Sequence, residues 1–245
     1  MKRVAYRERI YNSYVRARAT PLAPETAEGL KPRAPYLRRV IERHFPKDKR
    51  ASVLDLGCGY GALLFLALQA GYANLRGIDG SPEQVAAAHR LGIENVEEGE
   101  LMETLANLDH SSQGCIITFD VIEHFTKEEL IPLVDEVFRV LKPDGRWIIH
   151  TPNGESPFSA RMRYGDLTHE LAFTRTSLAQ LLLSSGFSRV QSFEDAPIPH
   201  GVKSTTRWIL WQIIRAFLRF YIAVETGEIS NEQIFSQNIL TVAVK

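Results

Sequence analysis

Three glycines within five residues, Gly57-Cys58-Gly59-Tyr60-Gly61, follow the run Ser52-Val53-Leu54-Asp55-Leu56 and precede an alanine- and leucine-rich stretch from Ala62. A loop of this kind between a strand and a helix brings backbone N–H groups and the helix N-terminus close to a ligand, because no side chains intervene. Asp55 stands two residues before the first glycine, and Asp79 ends the next apolar run, at a sequence distance suited to holding a ribose. His124, His150 and His169 fall where chain leaving the strand ends should meet such a loop. A neutral histidine is a natural base for a hydroxyl that must lose its proton.

The elements that must position these groups alternate. Strands are predicted at Ser52–Leu56, Asn74–Ile78, Asn95–Glu97, Gly114–Phe119 and Arg146–His150. Between them lie helices at Ala62–Gly71, at Pro82–Leu91 with Ser81 as N-cap, and one presenting Leu130, Val134, Val137, Phe138 and Leu141 on a single face. This rhythm predicts an α/β fold with a parallel sheet covered on both faces. Earlier, Tyr6, Ile10 and Tyr14 recur at helical spacing beside Tyr11. Prolines mark 20–35 as a loop, and Leu37, Val40, Ile41 and Phe45 share a second helical face. Later come a helix at Thr176–Ser185 and strands at Phe187–Phe193 and Ile239–Val244.

Gly57, Gly59 and Ala62 also satisfy the dinucleotide fingerprint, so an NAD-dependent oxidoreductase competes on the loop alone. The neighbouring residues separate the two readings. Val53 to Gly61 resembles the first motif of class I S-adenosylmethionine methyltransferases, and Gly77-Ile78-Asp79-Gly80-Ser81-Pro82 their second-strand motif. Phe119-Asp120-Val121-Ile122-Glu123-His124-Phe125 and Val137 to Gly145 are similar to the motifs around strands four and five. The resemblance implies a Rossmann-like, seven-stranded, mostly parallel sheet with the last strand antiparallel. S-adenosylmethionine is the implied cofactor and S-adenosylhomocysteine the product.

It also implies site residues. Gly57, Cys58, Gly59 and Gly61 would lie along the methionine part, with Asp55 ordering the loop or meeting the ammonium. Asp79 and Gly80 would serve the ribose, Glu100 and Leu101 the adenine, and Asp120 and Val121 the pocket floor. His124 and His169 are the candidate bases. Arg161, Arg163 and Asp166 suit a polar or phosphorylated sugar, in a stretch resembling bacterial methyltransferases associated with surface polysaccharides. The expected reaction is O-methylation of a sugar or glycan precursor. The ubiquinone-pathway enzymes share the core motifs, which keeps an aromatic hydroxyl acceptor open. A single domain is expected, with a helical cap over 1–50, the cofactor core over 51–150 and an acceptor side over 151–245.

Residues 206–224 combine Trp208, Trp211, Phe217, Phe220 and Tyr221 with Arg207, Arg215 and Arg219. At helical spacing Arg207, Gln212, Arg215 and Arg219 share one sector with the two tryptophans. Such a helix would pack on the sheet, join two copies, or lie on a membrane surface. Lysine plus arginine equals aspartate plus glutamate at 29 each, which gives no global reason for nucleic acid as a partner. With two cysteines, Cys58 and Cys115, neither a disulfide scaffold nor a zinc motif is expected, and no metal. The basic N-terminus leads into no long apolar stretch, so the expected location is cytoplasmic, and peripheral at the inner membrane face if the 206–224 helix lies on a membrane.

Overall fold

The computed structural model describes Ile10, residues 23–227 and residues 230–245, so the expected N-terminal helix, Ile10 apart, lies outside the described residues. Seven strands form one sheet: β1 (Val53–Leu56), β2 (Leu75–Asp79), β3 (Val96–Glu98), β4 (Gln113–Phe119), β5 (Leu141–Pro152), β6 (Arg189–Glu194) and β7 (Asn238–Val244). Their order is β3-β2-β1-β4-β5-β7-β6. β1 to β5 pair in parallel, while β7 runs antiparallel between β5 and β6. The expected Rossmann-like sheet is therefore present, with its final strand reversed.

The helices are α1 (Ala34–His44), α2 (Ala62–Gln69), α3 (Pro82–Arg90), α4 (Leu101–Ala106), α5 (Lys127–Val140), α6 (Ser159–Arg163), α7 (Arg175–Ser184) and α8 (Val202–Thr226). Strand alternation decides which face each one covers. Val53, Cys115, Ile117 and Ile148 point to one side, where Leu37, Val40 and Ile41 of α1 and Leu63, Leu66 and Ala67 of α2 pack on them. Leu54, Ile116, Trp147 and Ile149 point to the other, beneath Leu133, Val134 and Val137 of α5 and Leu178 and Leu182 of α7. β1 and β4 are buried on both faces, which is why they read as continuous apolar runs.

Chain order reverses between β1 and β4. β1 leads outward to β2 on one side and lies against β4 on the other, so the segments leaving these two strands diverge and open a crevice. The structure departs from the sequence reading in four places. The 20–35 segment contains a 3-10 turn at Ala27–Leu30, and α1 starts at Ala34 with Pro35 in its first turn. α4 was not expected; the Glu100 carboxylate caps it by accepting from the Glu103 N–H at 2.8 Å. β5 begins at Leu141, with a register shift against β4 that absorbs the turn at Lys142–Gly145. α8 spans 25 residues instead of 19 or so, and Ser204 is its only buried residue.

Candidate active site

The crevice at the β1–β4 divergence is a cavity of about 780 Å³. Asp55, Gly57, Cys58, Gly59 and Tyr60 form one wall, and Phe119, Asp120, Glu123 and His124 another. Arg161, Met162, Asp166, Leu167 and His169 arrive from the segment after β5. Sequence reasoning placed most of these residues here. It missed Arg33 and Leu37 at the start of α1, and Gln84 of α3, which no local pattern marks. Glu123 stands in the fourth-strand motif, which assigns it no role.

The glycine loop is shaped by contacts on both sides. Gly57 has φ +75°, and a Cβ there would stand 2.5 Å from the Val121 methyl, so Val121 shapes the loop from behind and does not line the cavity. Gly59 has φ +56° with nothing within 4 Å of a Cβ position, and its N–H donates to Asp79 Oδ2 at 2.7 Å. The other Asp79 oxygen accepts from the Ser81 N–H at 2.9 Å. Asp79 thus ties the end of β2 to the loop. Burial still holds its carboxyl above the usual range against these two donors. Asp79, Gly61, Gly80, Glu100 and Leu101 lie outside the cavity lining, and Glu100 is exposed.

Asp55 is the loop's electrostatic anomaly. It is buried, and Oδ1 has no hydrogen-bond partner among the described residues. Burial, reinforced by the nearby Asp79 charge, pushes its pKa up to about 8. Gln84 Oε1, also at the cavity, is another buried acceptor without a donor among the described residues. Buried acceptors without partners are costly, so both fit a ligand that brings donors or positive charge. The sulfonium and ammonium of S-adenosylmethionine meet that requirement; a dinucleotide's pyrophosphate over this loop would face Asp55. Burial also pushes the Cys58 thiol up, which leaves it a small filler and not a nucleophile.

The three histidines differ in state. His150, buried at the end of β5, contacts Asp120 Oδ1 through Nδ1 at 2.7 Å and Asp195 Oδ2 through Nε2 at 3.3 Å. Burial opposes its charge, but the two carboxylates outweigh burial and push its pKa up to about 10. As an imidazolium donating from both nitrogens it cannot take a proton, so it is structural. It also keeps Asp120 ionised, below the usual carboxylate range despite burial. Asp120 itself adopts φ +57°, a strained conformation for a non-glycine residue at the cavity edge.

His124 and His169 meet edge to face with ring centroids 4.7 Å apart. His169 Nδ1 lies 2.9 Å from the Met162 carbonyl, which only accepts, so Nδ1 carries the hydrogen and the lone pair of the neutral ring is on Nε2. His124 Nδ1 lies 2.9 Å from Thr168 Oγ1, whose own hydrogen goes to Asp166 Oδ1 at 2.6 Å. His124 therefore also carries its hydrogen on Nδ1. Burial, with the neighbouring His169, lowers its pKa to about 4, keeping it neutral.

Asp166 and Arg163 carry internal duties here. Asp166 lines the cavity while orienting Thr168, and Arg163 donates to the carbonyls of His169 and Glu170 from outside the lining. In place of the expected acceptor contact, Arg163 is committed to holding the His169 segment. Arg161 lines the cavity with an exposed side chain, next to exposed Leu167.

Known proteins share this fold. Residues 30–192 match the family model described as a methyltransferase domain. The chain belongs to the class I S-adenosylmethionine-dependent methyltransferases. A relative in Mycolicibacterium smegmatis, named a probable S-adenosylmethionine-dependent methyltransferase, is 30% identical over 176 residues, covering 69% of this chain. The chain spans 66% of that relative's length. A methyltransferase structure from Archaeoglobus fulgidus superposes with a TM-score of 0.65 at 20% identity, over 97% of this chain and 99% of that one. Phosphoethanolamine N-methyltransferase 2 of Haemonchus contortus, in complex with S-adenosyl-L-methionine, gives 0.63 at 15% identity, over 100% and 60%. At these identities the two methyltransferase structures establish the fold this chain shares.

Proposed function

We propose that this methyltransferase transfers a methyl group from S-adenosylmethionine to a hydroxyl on a sugar or glycan precursor. The observation that carries the reading is the His124–His169 pair at the cavity, with Nδ1 of each ring carrying a hydrogen. Asp55, the glycine loop and Asp79 hold the donor, whose sulfonium supplies an electrophilic methyl group as the carbon–sulfur bond breaks and an oxygen–carbon bond forms. Arg161 and Leu167 give the mouth one cationic and one apolar contact, suited to an amphipathic acceptor. One of the two histidines accepts the hydroxyl proton as a general base. Incubation with methyl-labelled donor and separate sugar-phosphate, catechol and amine panels tests this reading. Label in a base-stable methyl ether of a sugar supports it; label confined to amines overturns it.

We also infer that α8 brings the enzyme to a membrane surface on the cytoplasmic side. No described helix is long and apolar enough to cross a membrane. The helix turns Gln212, Arg215 and Arg219 inward beside Trp211 and Leu218. Arg215 Nε lies 2.7 Å from Glu194 Oε2, and Arg219 donates to the Asn231 carbonyl at 3.0 Å. Those arginines therefore anchor the helix and do not reach for lipid headgroups. Ile209, Leu210, Ile213, Ile214, Phe217 and Phe220 are exposed on the other side. Glu194 closes β6, which runs parallel to β5, at the same end of the strands as the cavity, so a lipid-bound α8 would lie on the cavity side of the sheet. An apolar stripe of this size calls for a partner. The protein should float with anionic vesicles, and Ile213→Glu/Phe217→Glu should not, with an unchanged melting temperature because both side chains are exposed. A lipid-free dimer that the double variant splits would instead assign the face to a second copy.

A further inference from the structure

Glu123, His124 and His169 each present a ligand atom to a common point, all within 4.8 Å of one another. No metal is expected from sequence, because the three residues come from two segments 45 positions apart that the fold unites. We propose that these side chains form a binding site for a first-row divalent cation, open on the cavity side to the acceptor oxygen. Two imidazoles and one carboxylate are a donor set for zinc, manganese or cobalt more than for magnesium or calcium, which prefer oxygen alone.

Two further observations point to a ligand. Glu123 is fully buried at the cavity wall, and its Oε1 has no partner among the described residues, while Oε2 accepts from Thr151 Oγ1 at 2.9 Å. A buried carboxylate oxygen without a donor is costly, and a cation removes that cost. Each imidazole is also fixed through its far nitrogen, His169 by the Met162 carbonyl and His124 by Thr168, itself held by Asp166. This is the outer support that metal-binding histidines commonly have. Asp120, beside Glu123, adds negative charge around the cluster.

The inference rests on the hydroxyl-acceptor reading and changes one step of it. With the cation bound, the imidazoles act as ligands, and the acceptor oxygen coordinates the open position. The coordinated hydroxyl becomes more acidic and gives its proton to solvent water, as metal-bound water does. The oxygen then takes the methyl group, the carbon–sulfur bond breaks, and S-adenosylhomocysteine leaves.

Cobalt(II) titration of chelator-treated protein reads this site directly through its visible absorption. The expected result is one saturable cobalt per chain, displaced by zinc, with affinity at least about 10-fold weaker in His169→Ala and Glu123→Gln. S-adenosylhomocysteine affinity, measured on the same samples, should be unchanged and shows that each variant is folded. His124→Asn provides a third variant should Glu123→Gln fail to fold. Wild-type protein that binds S-adenosylhomocysteine but gives no saturable cobalt band overturns the proposal, as does equal cobalt affinity in His169→Ala. Methyl transfer to a hydroxyl by fully metal-free protein would also overturn it while leaving the histidine-base reading standing. Cobalt binding without any hydroxyl product would keep the cation site and remove the O-methylation reading.

Discussion

Of His124→Ala and His169→Ala, the variant that removes the base is expected to lower kcat on a hydroxyl acceptor by about 10²–10⁴-fold, and both should bind S-adenosylhomocysteine as tightly as the parent. The split follows from position. Both rings lie on segments after β4 and β5, apart from the glycine loop, and neither contacts Asp55 or Asp79 in the hydrogen-bond pattern. The loss follows from chemistry: a sugar hydroxyl at neutral pH keeps its proton, and these two imidazoles at the cavity deal with it, as base or as ligands. His150, fixed between Asp120 and Asp195, cannot substitute. Thr168→Val should reproduce part of the His124 effect, because the ring then loses the acceptor that sets its tautomer. Steady-state kinetics beside calorimetry check the split; near-parental kcat in both alanine variants would sink the proton role.

Asp55→Asn should move stability and cofactor affinity in opposite directions. In the folded protein the Asp55 pKa is raised to about 8, against an ordinary value of 3.8. Between these values the folded state holds a proton that the unfolded state has released. The linked stability is therefore present at low pH and is lost as pH rises from about 4 to about 8. The asparagine variant lacks this slope, so the apo variant should melt above the apo parent at pH 8, by an amount on the order of a few kcal/mol. The same substitution removes the carboxylate awaiting a cationic ligand, and S-adenosylmethionine affinity should fall by about 1.5–3 kcal/mol. In the parent, affinity should rise with pH up to about 8, since binding favours the ionised Asp55. Thermal denaturation against pH, with and without S-adenosylhomocysteine, checks both halves. Parallel pH curves for parent and variant would show that the Asp55 charge is satisfied in some other way.

The cofactor half of the site was legible because its geometry is local. Gly57 to Gly61 and Asp79 are fixed by a strand–loop–helix unit and its neighbour, so their placement can be read from chain order together with the surrounding motifs. The acceptor half was legible only as a set of residue types. Nothing in the order of the chain shows that Glu170 and Leu171 donate to the Glu123 carbonyl, which draws His169 against His124. The same holds for Arg163, whose guanidinium reads as an anion binder until its two backbone acceptors are seen. In α8 the amphipathic pattern was correct and its orientation was not. Periodicity groups Arg215 and Arg219 on one face, but only the Glu194 and Asn231 contacts reveal that this face turns inward.

Calorimetric titration of the purified protein with S-adenosylhomocysteine, repeated on Asp79→Ala and with NAD, tests the central claim most directly. The structure predicts one S-adenosylhomocysteine site per chain, no heat from NAD, and a loss of about 1.5–3 kcal/mol in the variant. That loss would reflect the missing carboxylate and the two N–H groups, of Gly59 and Ser81, that it now orders. Saturable NAD binding without S-adenosylhomocysteine binding, or an unchanged affinity in Asp79→Ala, would contradict it.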